Sequence, residues 1–325
     1  MRKRLYPIFF ICLLFYSCDF DAIIDLDIED HDPVLVLNGI LDTDTSVQVV
    51  VSHSVGAFDN VDPSFISDAT VLLYKISEGV EDEFIDSLIP DLVNVEYIYY
   101  YSNYNETSLP MYYYKSDYMP EKNTEYRIDV DHPNYDAITA STYIPEDVTL
   151  YDMSVDTVVN PEYIRFEFSF DDDPNQDNHY RMKLFASCSK EWEDYDGYVY
   201  IESWEGDVWM HSNDPSFPNN NIDLFGDVQY SFAGDEVVFS DVLFNGEKKT
   251  ISVDVESDYA DCDTVIIEFS NFSEDTYIYY NSLQDHIEKG ELGIFGGEVI
   301  PVYSNVENGL GVLISANAQQ IYLKP

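Results

Sequence analysis

The sequence predicts a mainly β protein: an immunoglobulin- or fibronectin-like antiparallel β-sandwich over residues 33–145, then a second β-rich domain over 146–325 with one substantial helix. Short runs of β-branched and aromatic residues recur along the chain, which favours strands. Several runs alternate apolar and polar residues, the period of a half-buried strand. A single stretch has both the apolar spacing and the end signals of an α-helix. Together these observations indicate stacked sheets.

In the first domain, strands are predicted at 34–37, 47–51, 71–74, 126–130 and 139–143. The first is expected to end in a turn at Asn38-Gly39, because this dipeptide is typical of tight hairpin turns. Tyr126, Ile128 and Val130 alternate with charged residues, which predicts one buried face. The boundary between the domains is placed at residues 145 and 146.

In the second domain, strands are predicted at 163–170, 181–187, 237–239, 251–255, 265–269, 312–314 and 320–323. The helix is predicted over 273–289. Ser273 is a suitable N-cap. The carboxylates of Glu274 and Asp275 would interact favourably with the positive N-terminal end of the helix dipole. Lys289 and Gly290 form a stop signal.

The N-terminus has the pattern of a lipoprotein signal peptide over residues 1–17. A basic head (residues 2–4) precedes a short apolar run (residues 5–16) and then Cys18. The apolar run is shorter than the roughly twenty residues that span a bilayer. One interpretation is cleavage before Cys18 and acylation of that cysteine; the other is an ordinary secretory signal with a coincidental cysteine. Residues 18–32 would form an acidic tether.

The charge of the chain excludes one class of partner. Its 63 Asp and Glu outnumber its 15 Lys and Arg, for a formal net charge of −48. Binding to nucleic acid needs clustered cations, so we expect no nucleic-acid partner. Anionic lipid headgroups would repel the body as well, which leaves the N-terminal lipid as the predicted membrane anchor.

Two cysteines, Cys188 and Cys262, remain after the signal and the predicted lipid site. In an oxidising compartment they could form a disulfide that closes a long loop. They could equally be two reduced, buried residues that pack as small hydrophobic groups.

Four stretches resemble one family. Residues 34–41 resemble its opening strand and turn, and residues 123–145 its "Tyr-x-Leu-x-Val … Ala-x-Thr-x-x-Pro" segment. Residues 172–180 resemble its "Asp-x-Pro … Asn-x-Tyr" turn, and residues 304–312 its closing "Ser-Asn-Ile-x-x-Gly-x-Gly" signature. On these stretches the chain resembles the Bacteroidota envelope lipoproteins that share domain of unknown function 4249.

The resemblance implies a location and a partner but no catalytic residue. Members of the family that the chain resembles lie in the outer membrane and are commonly encoded beside TonB-dependent receptors. The resemblance therefore implies a non-catalytic accessory lipoprotein of a nutrient-uptake complex. The acidic residues behind Cys18 also resemble the surface-export signal of lipoproteins in this phylum, which implies a body that faces the cell exterior.

All three tryptophans, Trp192, Trp204 and Trp209, fall close together among tyrosines and acidic residues. Aromatic faces and carboxylates suit sugar binding, so one hypothesis is an independent glycan-binding surface lipoprotein. The alternative is ordinary packing between strands. A second aromatic group, the tyrosines between residues 97 and 118, suggests either a partner contact or a packed hairpin.

The alternating oxygen donors Asp171, Asp173, Asn175 and Asp177 suggest a possible calcium site. The glycine of a typical calcium loop is replaced by Gln176, and an acidic turn between strands is the alternative. Apart from this possible calcium, no cofactor is expected. The sequence contains no nucleophile elbow, phosphate-binding glycine loop or His-Glu-x-x-His motif, so we expect no enzyme.

Overall fold

The structure is a computed structural model that describes residues 32–56, 64–77, 81–102, 105–160, 162–220, 230–290 and 300–324. The predicted signal peptide, Cys18 and the tether up to residue 31 lie outside the described residues.

The described residues form strands with one α-helix, so the mainly β fold class is confirmed. The strands are β1 (Leu35–Asp42), β2 (Gln48–His53), β3 (Thr70–Ile76), β4 (Glu83–Pro90), β5 (Glu96–Ser102), β6 (Asn105–Met111), β7 (Tyr113–Lys115), β8 (Thr124–His132), β9 (Tyr135–Ile144), β10 (Tyr151–Asn160), β11 (Tyr163–Asp171), β12 (His179–Glu193), β13 (Val199–Asp207), β14 (Met210–Ser212), β15 (Phe232–Gly234), β16 (Glu236–Ser240), β17 (Lys248–Glu256), β18 (Thr264–Phe272) and β19 (Leu310–Leu323). The helix is α1 (Glu274–Gly290).

Three sheets contain these strands. The largest has twelve strands, in the order β13-β12-β18-β19-β1-β2-β7-β4-β3-β8-β9, with β16 also paired to β12. A five-stranded sheet has the order β10-β11-β17-β14-β15, and β5 and β6 form a two-stranded hairpin. The large sheet therefore passes from one half of the chain to the other.

The crossing between the halves is a parallel pair, which the sequence does not predict. Strand β1 lies parallel to β19, from Val36 opposite Leu310 to Asp42 opposite Ala316. The expectation of a purely antiparallel arrangement is therefore wrong at this point. The pairing joins residues near the two ends of the chain, and such long-range pairs leave no local signal in the sequence.

The turn predicted at Asn38-Gly39 is also wrong, because β1 continues through both residues. A Cβ atom on Gly39 would lie 2.5 Å from Cγ1 of Val49. The glycine therefore permits close packing between strands instead of a reversal of the chain. The Asn38 side chain accepts a hydrogen bond of 3.3 Å from the backbone N–H of Val312.

The buried apolar residues form two clusters. One consists mainly of residues 35–144 and the other of residues 150–269. Val306 and Leu313, from the end of the chain, belong to the first cluster. Residues 33–325 nevertheless group as one compact unit. The hydrophobic cores thus separate close to residue 145, while the twelve-stranded sheet remains continuous.

The alternation predicted from the sequence is confirmed in both halves. Tyr126, Ile128 and Val130 in β8 are buried. In β11, the apolar side chains at 164, 166, 168 and 170 are buried in the second core. Aromatic rings dominate that core; the rings of Phe170 and Tyr180, for example, lie 4.9 Å apart.

The predicted helix is confirmed together with its N-cap. The Ser273 hydroxyl accepts a 3.2 Å hydrogen bond from the backbone N–H of Thr276, which satisfies a donor in the first turn. In the last turn, Lys289 pairs with Asp285 at 2.6 Å. Within the described residues, no helix has the length and apolar character needed to cross a membrane.

The interface between α1 and the large sheet is aromatic and polar. The rings of His179 and Tyr277 lie 4.2 Å apart. In the described part of the chain, three buried polar atoms have no hydrogen-bond partner: His179 Nδ1, Arg181 Nε and Ser270 Oγ. All three come from β12 and β18, where Arg181 lies directly opposite Ser270. Because the His179 imidazole is buried and its Nδ1 has no hydrogen-bond partner, the charged form of this side chain is unfavourable here.

We expect His179 to make the protein less stable as the pH falls. Burial lowers the pKa of His179 below its ordinary value of 6.5, although the acidic groups of Asp241, Glu274 and Asp177 oppose the shift. The unfolded chain therefore takes up a proton before the folded chain does. The free energy of unfolding then decreases as pH falls through the ordinary histidine range.

The measurement is urea unfolding at several pH values between about 7 and 5, the range that brackets ordinary histidine titration. His179→Phe should show a shallower decrease than the wild type. His286→Phe makes the same exchange on α1 and serves as the matched control. Equal slopes in the wild type and His179→Phe would show that His179 does not cause the effect.

Candidate functional site

The end of β12 and all of β13 form an exposed two-stranded ribbon, residues 188–207. Along β13 every residue is exposed except the half-buried Gly206. The two strands pair from Phe185 opposite Asp207 to Glu193 opposite Val199. Among the described residues, β13 pairs with no strand other than β12. One edge of the ribbon therefore presents unpaired backbone N–H and C=O groups.

Two of the three tryptophans share one face of this ribbon. Trp192 lies opposite Tyr200, and Trp204 lies opposite Cys188. Directly opposite residues in an antiparallel pair project on the same side, so these side chains form one row. The Trp192 and Tyr200 rings stack at 4.8 Å. The two tryptophans are 48% and 44% exposed, so the row is available to a partner.

Trp209 lies outside the row. It is 52% exposed and stands between the buried residues Val208 and Met210, just after the ribbon ends. The structure therefore brings together two of the three residues of the predicted platform, and places the third immediately before β14.

The opposite face of the ribbon is apolar and acidic. Val199 and Ile201 are 62% and 66% exposed. They lie opposite Glu193 and Glu191. Further acidic residues of the ribbon are Asp194, Asp196, Glu202, Glu205 and Asp207. This negative charge disfavours pairing of the edge with a second copy of the same ribbon.

A disulfide joins Cys188 and Cys262 at the base of the ribbon, which is the first of the two alternatives raised by the sequence. The Cα atoms of the two cysteines lie 4.2 Å apart, and the residues are 74 positions apart in the chain. The bond connects β12 to the segment that enters β18.

We expect the Cys188→Ala/Cys262→Ala variant to unfold with a free energy about 4 kcal/mol below that of the oxidised protein, because a loop of this length restricts the unfolded chain. Urea unfolding of both proteins measures the difference. The matched control is Ser187→Ala/Ser189→Ala on the same strand, which should change stability little. Two titratable thiols in the native protein would contradict the bond.

A second cluster lies on the outer face of the five-stranded sheet, where three neighbouring strands each supply one polar residue. Arg165 in β11 and His211 in β14 both lie opposite Asp254 in β17. Arg165 donates two hydrogen bonds to the Asp254 carboxylate, of 2.6 and 2.8 Å. The Tyr230 hydroxyl donates a third, of 2.7 Å. We call these four residues the arginine–aspartate cluster.

The surroundings set the charges in this cluster. Burial raises the pKa of Asp254, but the hydrogen bonds from Arg165 and Tyr230 outweigh it, so the pKa lies below the ordinary value. Burial and the adjacent carboxylate raise the pKa of Tyr230. Burial lowers the pKa of His211. Near neutral pH the site therefore contains one ion pair, a neutral phenol and a neutral imidazole.

No sequence pattern predicts this cluster. Its members come from positions 165, 211, 230 and 254 and share no motif or spacing. The only sequence signal was the placement of Arg165 among polar residues that alternate with the phenylalanines of β11. Strand register, which is a property of the folded sheet, brings the residues together.

The proposed calcium residues form a turn whose side chains bond to the protein. Asp173 accepts hydrogen bonds from the backbone and side chain of Asn175, at 3.0 and 2.7 Å. Asp171 accepts one of 2.7 Å from Tyr151. Within the described ranges, no group of three or more His, Cys, Asp or Glu side chains could hold a metal ion. These contacts are those of the acidic-turn alternative, and calcium stays a prediction from sequence, as does Asp177 as its ligand.

The tyrosine-rich stretch divides between core and surface. Tyr114 is fully buried, and its hydroxyl accepts a hydrogen bond of 2.9 Å from the Ala69 backbone. Tyr97 in β5 is 53% exposed. The side chains at 99–107 lie outside the described residues. This hairpin therefore offers less described surface for a partner than the ribbon does.

Comparison with known proteins identifies one family. The model of a family described as domain of unknown function (DUF4249) matches residues 21–321. No curated protein matches the chain.

Proposed function

The chain belongs to the DUF4249 family, and from that premise we propose that it is a lipid-anchored accessory protein of the outer membrane that assists a TonB-dependent receptor in nutrient uptake. In this proposal the protein is not an enzyme. Its body faces the cell exterior and is held by a lipid on Cys18. It docks on the receptor through the ribbon.

In this proposal the exposed ribbon is the surface that binds the receptor. An edge strand with free backbone groups can add to a sheet or a loop of another protein. Trp192, Tyr200 and Trp204 supply large aromatic areas of the kind enriched at protein interfaces. The disulfide at Cys188 would hold the base of the ribbon in place, so less conformational entropy is lost on docking.

The N-terminal sequence supports the anchor. A basic head, a short apolar run and Cys18 form the pattern of a lipoprotein signal. Intact-mass analysis of the native protein should show a chain that begins at Cys18 and carries acyl groups. An unmodified polypeptide recovered in the soluble fraction would contradict both the anchor and the envelope location.

Co-purification from detergent-solubilised outer membranes tests the docking step. The wild-type chain should recover a β-barrel receptor, and Trp192→Ala/Trp204→Ala should recover at least about tenfold less, since aromatic residues at an interface centre each contribute about 1–2 kcal/mol or more. Tyr322→Ala removes an exposed aromatic residue of β19 outside the ribbon and should behave like the wild type. Recovery of no barrel protein, or equal recovery by all variants, would contradict the proposal.

The second candidate function is independent binding of a surface glycan through the ribbon. It is favoured by one observation, namely the shared row of Trp192 and Trp204, on which sugar rings could stack. A glycan array compares the wild type with Trp204→Ala. Unchanged binding by the variant would remove the tryptophan row as the platform.

We also infer that residues 33–145 form an immunoglobulin- or fibronectin-like sandwich and residues 146–325 a second domain. The separate hydrophobic clusters support this division. The β1–β19 pair would then be the interface between the two domains. Because β19 contributes Leu313 to the first cluster, residues 33–145 expressed alone should fold less stably than when residues 300–324 are also supplied.

A further inference from the structure

A small cavity adjoins the arginine–aspartate cluster on the outer face of the five-stranded sheet. Its volume is about 270 Å³, and its walls include Arg165, His211, Ser212, Ser252 and Asp254. This volume is just below the ~300–1,000 Å³ typical of small-molecule sites. A ligand of about one ring would fill it. The cavity lies on a different sheet from the ribbon, so a function here is independent of the docking proposed above.

His211 offers two free hydrogen-bonding atoms to this cavity. Its ring lies 5.5 Å from the Tyr163 ring and 5.2 Å from the Tyr230 ring. Within the described residues, neither of its nitrogens forms a hydrogen bond. A neutral imidazole has one donor and one acceptor nitrogen. It can therefore bond to two hydroxyl groups, or donate to and accept from a single one.

The guanidinium beside it has a spare donor. Arg165 uses Nε and Nη2 for Asp254. Its Nη1 has no partner in the described part of the chain. Ser212 and Ser252 complete the polar wall. Directional donors and acceptors thus surround a space that the Tyr230 ring also lines.

The charges around the cavity are already balanced. The Arg165 cation is paired with Asp254, whose carboxylate accepts three hydrogen bonds. Asp214, also on the wall, is paired with Lys249 at 2.6 Å, with both side chains largely buried. The cavity offers no unpaired charge to an anionic or cationic ligand. Binding of such a ligand would therefore be unfavourable, because the ligand would lose its hydration without gaining an ion pair. A neutral ligand with several hydroxyl groups has no such cost.

We propose that this cavity binds a neutral polyhydroxylated small molecule, of the size of a monosaccharide or a sugar alcohol. His211 bonds to ligand hydroxyl groups as donor and acceptor, and Arg165 donates from Nη1. The apolar face of the ligand packs against the ring of Tyr230, which lines the cavity. Asp254 positions Arg165 and does not itself contact the ligand.

The test is calorimetric or NMR titration of the full chain with glucose, galactose, xylose and mannitol, and with glucuronate and glucosamine as charged analogues. At least one neutral compound should bind, and should bind more tightly than the charged analogues. His211→Ala should weaken binding about tenfold, the effect of losing one or two hydrogen bonds. His211→Gln, which keeps a donor and an acceptor, should restore part of the affinity.

Two variants serve as controls. His286→Ala makes the same exchange on α1 and should bind like the wild type. Tyr322→Ala removes an exposed aromatic residue of β19, outside both the cavity and the ribbon, and should also bind normally. The proposal is overturned if no neutral compound binds, if a charged analogue binds more tightly, or if a folded His211→Ala variant retains wild-type affinity.

Discussion

Replacing Gly311 by alanine is expected to lower the free energy of unfolding by about 4 kcal/mol, the sum of an unfavourable backbone conformation and a steric overlap. Gly311 has a φ of +103°, a value that residues with a side chain rarely adopt. A Cβ atom there would lie 2.1 Å from the carbonyl oxygen of Leu37. Because Leu37 and Gly311 are directly paired, this overlap would force β1 and β19 apart.

The effect should extend to both halves of the molecule, since β19 joins the two parts of the large sheet. Urea unfolding measures the loss, and hydrogen exchange should show reduced protection in both β1 and β19. Gly206→Ala in β13 is the matched control. A Cβ atom at that glycine would have its nearest neighbour at 3.7 Å, in the Trp204 side chain. If the two alanine variants were equally stable, the described pairing of β1 with β19 would be wrong.

Replacing Arg165 by methionine is expected to cost about 3 kcal/mol, because it leaves the buried Asp254 carboxylate without its counter-charge. The Asp254 side chain is 3% exposed and that of Arg165 is 32% exposed, so water reaches part of the site and the lower end of the usual range applies. Tyr230 would remain as a single donor to the carboxylate. Loss of the bidentate pair is therefore only partly compensated.

The loss should depend on pH. In the wild type the pKa of Asp254 is lowered, so the pair contributes stability above the ordinary aspartate pKa of 3.8, and this contribution is lost as pH falls through the lowered value. In Arg165→Met, burial dominates and favours the protonated carboxyl group. The difference in stability between wild type and variant should therefore be largest at neutral pH and shrink towards pH 4.

Urea unfolding at several pH values measures this dependence. Lys248→Met, which breaks the exposed pair with Asp152, should change stability little. Arg165→Met/Asp254→Leu should recover part of the lost stability, because no buried charge remains. A loss in Arg165→Met that does not vary with pH would show that lost packing, and not the uncompensated charge, causes it.

Local patterns were enough to predict much of the secondary structure. The alternation at Tyr126, Ile128 and Val130 identified a half-buried strand, because the side-chain period of a strand is a local property. The helix and its cap at Ser273 were also predictable, because capping residues and the helical period are local properties of the chain. At Asn38-Gly39 the local rule failed, because close contact with Val49 on the neighbouring strand β2 keeps this dipeptide in an extended strand.

Local sequence patterns predicted far less about the candidate sites. The tryptophan cluster was visible in the sequence, but only the register of β12 and β13 shows that Trp192 and Trp204 share a face while Trp209 does not. Apart from the polar position of Arg165 in β11, the cavity beside His211 had no sequence signal, because each of its polar residues looks like an ordinary exposed position in its own strand. Pairing between strands converts these separate positions into one site.

The amino-acid sequence alone determined the β-rich class and the excess of acidic residues, because composition and short-range periodicity act on each segment separately. Tertiary structure alone decided that β1 pairs in parallel with β19, and that Arg165, His211 and Asp254 lie side by side. Those contacts join residues far apart in the chain. They form because each sheet buries its apolar face in a single register, and that register also fixes the neighbours of every polar residue on the opposite face.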